Sequence, residues 1–245
     1  MIEKRRIDFE LWLIFGLSLG KSAIYSMLAF LSAVTAPKGL AGSSTTINES
    51  VDPRDWLDFS YQLFGQVFQL VPVALVLYFM GQGALSKVGI IREKLAKQLG
   101  AGLLFAAVIG IPGLGLYLVS RAAGYAVKVV PADVNAYWWT TPMLLLSAVT
   151  ASVLEETIMI GYLFHRLRER GVSDTKIIWI SALIRGSYHL YQGIGGFVGN
   201  IVMGAVFGYW YRKTGKLMPL LAAHFLLDAV IFVGYSWAST WLPLN

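Results

Sequence analysis

The sequence contains no cysteine. Disulfide frameworks, zinc–thiolate centres and thiol nucleophiles are therefore excluded at once. Charge is also scarce. Asp, Glu, Lys and Arg together make up 14% of the 245 residues, against about a quarter in a soluble domain whose surface must be wetted. Only three histidines are present, so each can be weighed individually. No internal repeat is visible, and the composition is neither that of a disordered chain nor that of a collagen-like fibre. What abounds is apolar. Hydrophobic residues reach 56%, with eight Trp, twelve Tyr and thirteen Phe, an aromatic content suited to a lipid–water interface. The net charge of +6, taken alone, would suggest nucleic acid, but that requires a basic face on a soluble body. Here the basic residues separate long apolar runs. The length suits one domain or at most two small ones, and the expected class is a single all-α, multi-pass transmembrane helical bundle over 1–245. Its partner is membrane lipid, with no nucleic acid.

A spanning helix needs about 20 mostly apolar residues to cross about 30 Å of hydrocarbon. Seven segments qualify: 9–36, 59–82, 99–121, 138–165, 176–191, 194–212 and 217–237. The first resembles a signal peptide with a cleavage site at Ala33-Val34-Thr35-Ala36. It is too long for that role, however, is interrupted by Lys21 and is followed by Pro37, so a retained helix is expected. Orientation follows the Lys and Arg residues. With the N-terminus in the cytoplasm, fourteen lie in cytoplasmic segments and four, Lys38, Arg54, Arg121 and Lys128, in outer ones, while Lys21 and Arg185 fall inside spans. The outer loop 37–58 is rich in Ser, Thr and Asn and shows no sign of a folded domain. No loop can hold a soluble catalytic unit, so chemistry is expected among the helices. Gly195, Gly199, Gly204 and Gly208 in the sixth span are read as a close-packing face. Trp138, Trp139, Trp179, Trp237 and Trp241 are read as interfacial residues, as is His165 beside Arg166 and Arg168. Lys21 has no evident role beyond snorkelling or an acidic partner.

An ionisable group in hydrocarbon costs about 2.5–3.5 kcal/mol on insertion scales and is a functional candidate by default. Six stand out: Glu155 and Glu156 in the fourth span, Arg185 and His189 in the fifth, His224 and Asp228 in the seventh. At 1.5 Å per helical residue from the nearest cytoplasmic basic residue, Glu155 lies roughly 16 Å deep, His189 roughly 20 Å and His224 roughly 12 Å. Three helices thus bring an acid and two imidazoles to similar depth. Arg185 and His189 share a helix face, as do His224 and Asp228, while the adjacent Glu155 and Glu156 point about 100° apart and should differ in role. A carboxylate beside a neutral histidine can activate water. A second histidine with a carboxylate can stabilise an oxyanion, or the same groups can hold zinc. Glu, His and Asp in membrane helices also form proton relays. Spacing and charge alone leave hydrolysis and proton transport open.

The string Glu155-Glu156-Thr157-Ile158-Met159-Ile160-Gly161, then His189, then His224-Phe225-Leu226-Leu227-Asp228 resembles the CPBP intramembrane proteases (CAAX proteases and bacteriocin-processing enzymes, the Abi family). Their pattern is a Glu-Glu pair with Arg four residues after the second Glu, then Phe-x-x-x-His, then His-x-x-x-Asn or Asp. The likeness covers about 138–235, the expected catalytic core. It implies an intramembrane endopeptidase in which Glu155 activates water, His189 positions it, His224 and Asp228 stabilise the oxyanion and Glu156 supports the site. It also implies a peptide or lipopeptide substrate. The family is described both as metalloproteases and as metal-free glutamate proteases; a metal, zinc being the natural one, would be held by Glu155, His189 and His224. Two positions depart from the pattern. Ile160 stands where Arg is expected and Arg185 where Phe is expected, which suggests that Arg185 reaches across from the fifth helix to pair with Glu156. The rival readings are an inactive relative serving bacteriocin immunity or scaffolding, and a proton-coupled carrier, for which the expected inverted repeats or matched broken helices are missing. No His-Glu-x-x-His, Gly-x-Ser-x-Gly or Gly-x-Gly-Asp motif is present. The composition suits a bacterial plasma membrane.

Overall fold

A computed structural model describes residues 2–239; Trp241 lies outside them. In chain order the helices are α1 (Ile2–Leu17), α2 (Leu19–Thr35), α3 (Asp55–Gln69), α4 (Val71–Met80), α5 (Ala84–Lys87), α6 (Leu95–Ala122), α7 (Thr140–Glu156), α8 (Leu163–Glu169), α9 (Asp174–Tyr188), α10 (Ile194–Thr214) and α11 (Met218–Ser239), with strands β1 (Ser44–Glu49) and β2 (Lys128–Asp133). The chain is an all-α, multi-pass membrane bundle. Among the described residues, five helical stretches are long and apolar enough to cross a membrane: Asp55–Met80, Leu95–Ala122, Thr140–Glu169, Ile194–Thr214 and Met218–Tyr235. A sixth is counted if α1 and α2 together form one broken span.

The count differs from the seven expected for two physical reasons. The first apolar segment bends by 47° between α1 and α2, at Ser18, whose hydroxyl donates to the Ile14 carbonyl at 2.6 Å. This places Lys21 in the first turn of α2 rather than mid-span. The fifth segment forms only the 15 residues of α9, about 22 Å, which falls short of the hydrocarbon thickness. The chain leaves α9 at His189, makes a 3-10 turn over Leu190–Gln192, and enters α10 through Gly193. Gly193 has φ +96°, and an added Cβ would lie 2.7 Å from the Ala126 Cα. Only glycine suits such a left-handed, closely approached position.

The outer segments carry one short pair of strands. β1 and β2 pair in parallel, with Ser44 opposite Lys128 and Glu49 opposite Asp133. Pro131 cannot donate, but its carbonyl accepts from the Asn48 side chain at 2.9 Å. Trp139 is likewise no belt residue. It is buried, and its indole N–H donates to the Asp55 carboxylate. Trp138, Trp179 and Trp237 are exposed on the body.

The main core gathers around the stretch after α7, where Ile158, Met159, Ile160, Tyr162 and Phe164 are wholly buried. The glycine face of α10 does pack closely. A Cβ on Gly204 would lie 2.9 Å from the Ala182 Cα on α9, and one on Gly195 would lie 2.4 Å from Ser120 Oγ on α6. On the side of α8, Arg166 is buried. It is held by Glu10 at 2.6 Å, Glu169 at 2.8 Å and the Phe79 carbonyl at 2.9 Å, which docks α1 onto the bundle. His165 lies 3.2 Å from Glu169 and is partly exposed.

Candidate active site

The site is assembled by α7, α9 and α11. Residues Thr157–Tyr162, directly after Glu156, form a π-helical segment, a rare geometry that marks functional positions in helices. Ile160 is wholly buried in the core. The neighbouring helix helps hold the segment: Ser181 Oγ donates to the Met159 carbonyl at 3.0 Å.

The partner for Glu156 comes from α9. Arg185 Nη2 lies 2.7 Å from Glu156 Oε1, with both side chains fully buried. Close packing of α10 makes this possible, since a Cβ on Gly204 would come within 3.2 Å of Arg185 Cδ. The guanidinium also reaches Glu155 Oε2 at 3.4 Å and lies over the Phe207 ring at 5.7 Å, a favourable cation–π arrangement. Glu156 Oε1 faces His224 Nδ1 at 2.7 Å as well. An ionised carboxylate only accepts, so Nδ1 carries a proton, and Nε2, turned towards the carboxylates of Asp228 at 3.4 Å and Glu155 at 4.0 Å, carries one too, the form in which it can donate to an oxyanion. Glu156 thus orients both Arg185 and His224.

Glu155 is set differently, as adjacent residues on a helix must be. Its side chain is 12% exposed where that of Glu156 is fully buried. Its Oε2 accepts from the Tyr188 hydroxyl at 2.7 Å and faces His189 Nε2 at 3.7 Å. The Gln192 amide lies 3.4 Å from His189 Nδ1. With that amide donating, Nε2 is the protonated nitrogen and points to Glu155. Sequence reasoning did not single out Tyr188 or Gln192. Both flank His189 in the chain, which is the one signal that could have found them.

All six ionisable residues singled out in the sequence therefore meet in one cluster. For a metal, the ligand atoms that come within 4.8 Å of one another belong to Glu155, Glu156 and His224, rather than to Glu155, His189 and His224. This grouping fits a dication poorly: the Arg185 guanidinium touches both carboxylates, and Glu156 is already bound to His224 on the same oxygen. A permanent cation at that distance repels a second one. What the arrangement offers is a partly accessible carboxylate faced by two imidazoles and a phenol.

Residues 137–230 match the family model for type II CAAX prenyl endopeptidase, Rce1-like. No curated protein and no solved structure matches the chain. The match runs from just before α7 into α11 and agrees with the CPBP/CAAX protease likeness of the same segment, in a membrane-embedded helical protein.

Proposed function

We propose that the protein is an intramembrane endopeptidase that hydrolyses a peptide bond through a water activated by Glu155. One observation carries this reading: Glu155 Oε2, on α7, lies 3.7 Å from Nε2 of His189, at the end of α9, and 4.0 Å from Nε2 of His224, on α11. A water hydrogen-bonded to Glu155 and His189 would lose its proton to the carboxylate as it attacks the carbonyl. His224, oriented by Glu156 and flanked by Asp228, would stabilise the developing oxyanion from the other side. Arg185 supplies the local positive charge without entering the reaction, and this favours a metal-free glutamate mechanism over a metalloprotease. The immunity and scaffold alternative loses its main support, because the missing arginine at position 160 is replaced in space by Arg185. Peptides or lipopeptides in a bacterial plasma membrane are the natural substrate class.

The test is hydrolysis of a pooled peptide and lipopeptide library by the purified protein, wild type against Glu155→Gln, with and without a chelator. Cleavage by the wild type should fall at least about 1,000-fold in the variant, the scale of losing a general base with its bound water, and should survive chelation. Equal cleavage by both forms would remove Glu155 from the chemistry. Loss on chelation, with recovery on zinc, would replace the metal-free mechanism.

A further inference from the structure

A groove of about 680 Å³ runs along α10, with Phe105 of α6 on its other side, a size typical of ligand sites. Ala205, Val206, Tyr209, Trp210 and Lys213 line it, positions that share one face of the helix. From Ala205 to Lys213 the face extends about 12 Å at 1.5 Å per residue. That is most of one leaflet, half of a hydrocarbon core about 30 Å thick. The wall is preformed, because the Phe105 ring stands edge-on to Trp210 at 5.1 Å and to Phe207 at 6.2 Å. Length and lining both suit an acyl chain.

One end of this groove is basic. The Lys213 ammonium lies 5.7 Å and the Arg212 guanidinium 5.9 Å from the centre of the Tyr209 ring, so a residue of the lining gathers two cations at the groove's end. Among the described residues Lys213 makes no ion pair. Arg212 acts on Asp174, but that carboxylate is already held by Arg168 at 2.8 Å. The neighbouring segment adds charge of the same sign. Leu217 N–H donates to the Gly89 carbonyl at 2.8 Å, which brings the chain before α6 to the membrane face where α10 ends. Residues 87–97 and 212–217 hold Lys87, Arg92, Lys94, Lys97 and Lys216 besides this pair, with Glu93 as their only acid. Such a surface calls for an anion.

We infer that the groove binds a phospholipid with an anionic headgroup. One acyl chain lies along α10 against Phe105 and Tyr209, and the phosphate sits at Lys213 with Arg212 beside it. The occupant is a lipid and not free phosphate, because the two cations stand at the end of an apolar groove nearly one leaflet long. It is not a peptide, whose backbone groups would go unsatisfied along such a lining. The site is distinct from the Glu155 cluster and holds whatever reaction that cluster performs. Each basic residue near an anionic membrane surface contributes about fivefold to binding. Two therefore give a preference of roughly 25-fold over a neutral headgroup on the same chains.

The test uses the full chain in phosphatidylcholine nanodiscs doped with a lipid that carries a photoreactive group in its acyl chain, as phosphatidylglycerol or as phosphatidylcholine. Crosslinked residues are located by peptide mass spectrometry. With the phosphatidylglycerol probe, labelling of Phe105 and residues 205–210 should exceed labelling around Tyr78, exposed at the end of α4, by at least about tenfold. It should also exceed groove labelling by the phosphatidylcholine probe by roughly 25-fold, and excess glycerol phosphate should not displace it. Arg212→Gln with Lys213→Gln should bring the two probes to within about threefold. Lys176→Gln, exposed near the start of α9, should leave their ratio unchanged. Equal labelling by the two probes, labelling spread evenly over exposed helices, displacement by glycerol phosphate, or a preference that survives the double variant would each overturn the inference. Displacement by a lipopeptide but not by unlabelled phosphatidylglycerol would overturn it too, giving the groove to a substrate chain.

Discussion

Arg185 Nη2 stands 2.7 Å from Glu156 Oε1, and neither side chain has any exposed surface. The bridge joins α9 to α7 where the related pattern closes a Glu–Arg pair within one helix. A buried pair is weak evidence for stability in itself, but removing one partner strands the other as an uncompensated charge.

Arg185→Met is therefore expected to destabilise the protein by about 3–5 kcal/mol, read as a lowered unfolding temperature in detergent. Glu156→Gln introduced on the same background should recover much of the loss, because the amide is neutral and can still accept from His224 Nδ1. The measurement is a double-mutant cycle. A strictly additive result would mean that the two groups do not interact energetically, despite their distance.

The same bridge depends on a glycine. A Cβ at position 204 would sit 2.9 Å from the Ala182 Cα and 3.2 Å from Arg185 Cδ, so Gly204→Ala must push α9 and α10 apart at the level of the ion pair. Overpacking of this kind costs about 1–3 kcal/mol, more than the gain of up to about 1 kcal/mol from the better helix former. Gly100→Ala in α6 meets nothing within 4 Å and should be neutral or stabilising by about 0.5–1 kcal/mol. Opposite signs for the two substitutions in thermal unfolding would show that packing, and not propensity, decides at position 204.

Much of this site was legible because ionisable residues are expensive in hydrocarbon and so announce themselves. Glu155, Glu156, Arg185, His189, His224 and Asp228 were each visible as costs needing compensation, and the partner of Arg185 followed from the two departures from the family pattern, at Ile160 and at Arg185 itself. The helices of the bundle were legible for a similar reason, since apolar length is a one-dimensional signal. What escaped was non-local or cheap. The parallel pairing of β1 with β2 joins segments separated by several helices and has no turn signature. The break at Ser18 falls in an unbroken apolar run, and the shortness of α9 reflects a turn at Gly193 fixed by contact with Ala126. Tyr188 is unremarkable among twelve tyrosines until its hydroxyl is seen on Glu155. The π-helical segment after Glu156 has no sequence signal.

Glu10 offers a test away from the site. Its carboxylate holds the buried Arg166 at 2.6 Å and is nearly buried itself, so α1 is docked by an ion pair and not only by apolar packing. Glu10→Ala should cost about 1–3 kcal/mol, the penalty for a buried donor losing one partner. This is less than for Arg185, because Glu169 and the Phe79 carbonyl still hold the guanidinium. The loss should appear as faster proteolysis within α1 at temperatures where the rest of the bundle stays protected. Unchanged cleavage would place the docking energy in apolar contacts such as those of the buried Ile14.

Tyr188 separates positioning from chemistry. Its hydroxyl donates to Glu155 Oε2 at 2.7 Å, while Glu155 is the group proposed to take the proton from water. In Tyr188→Phe the ring stays and the donor is lost, leaving Arg185 at 3.4 Å and His189 at 3.7 Å around that oxygen. A hydrogen bond to a charged group contributes about 1.5–3 kcal/mol, so if it is needed to aim the carboxylate, kcat should fall by roughly 10- to 150-fold. KM should hold within about twofold, because the ring and its packing are retained. Were the phenol instead a structural tie between α9 and α7, the variant would lose unfolding temperature while keeping kcat in the folded fraction. A fall in kcat for Phe at unchanged KM and thermal stability is the outcome expected of a residue that aims the base with its hydroxyl.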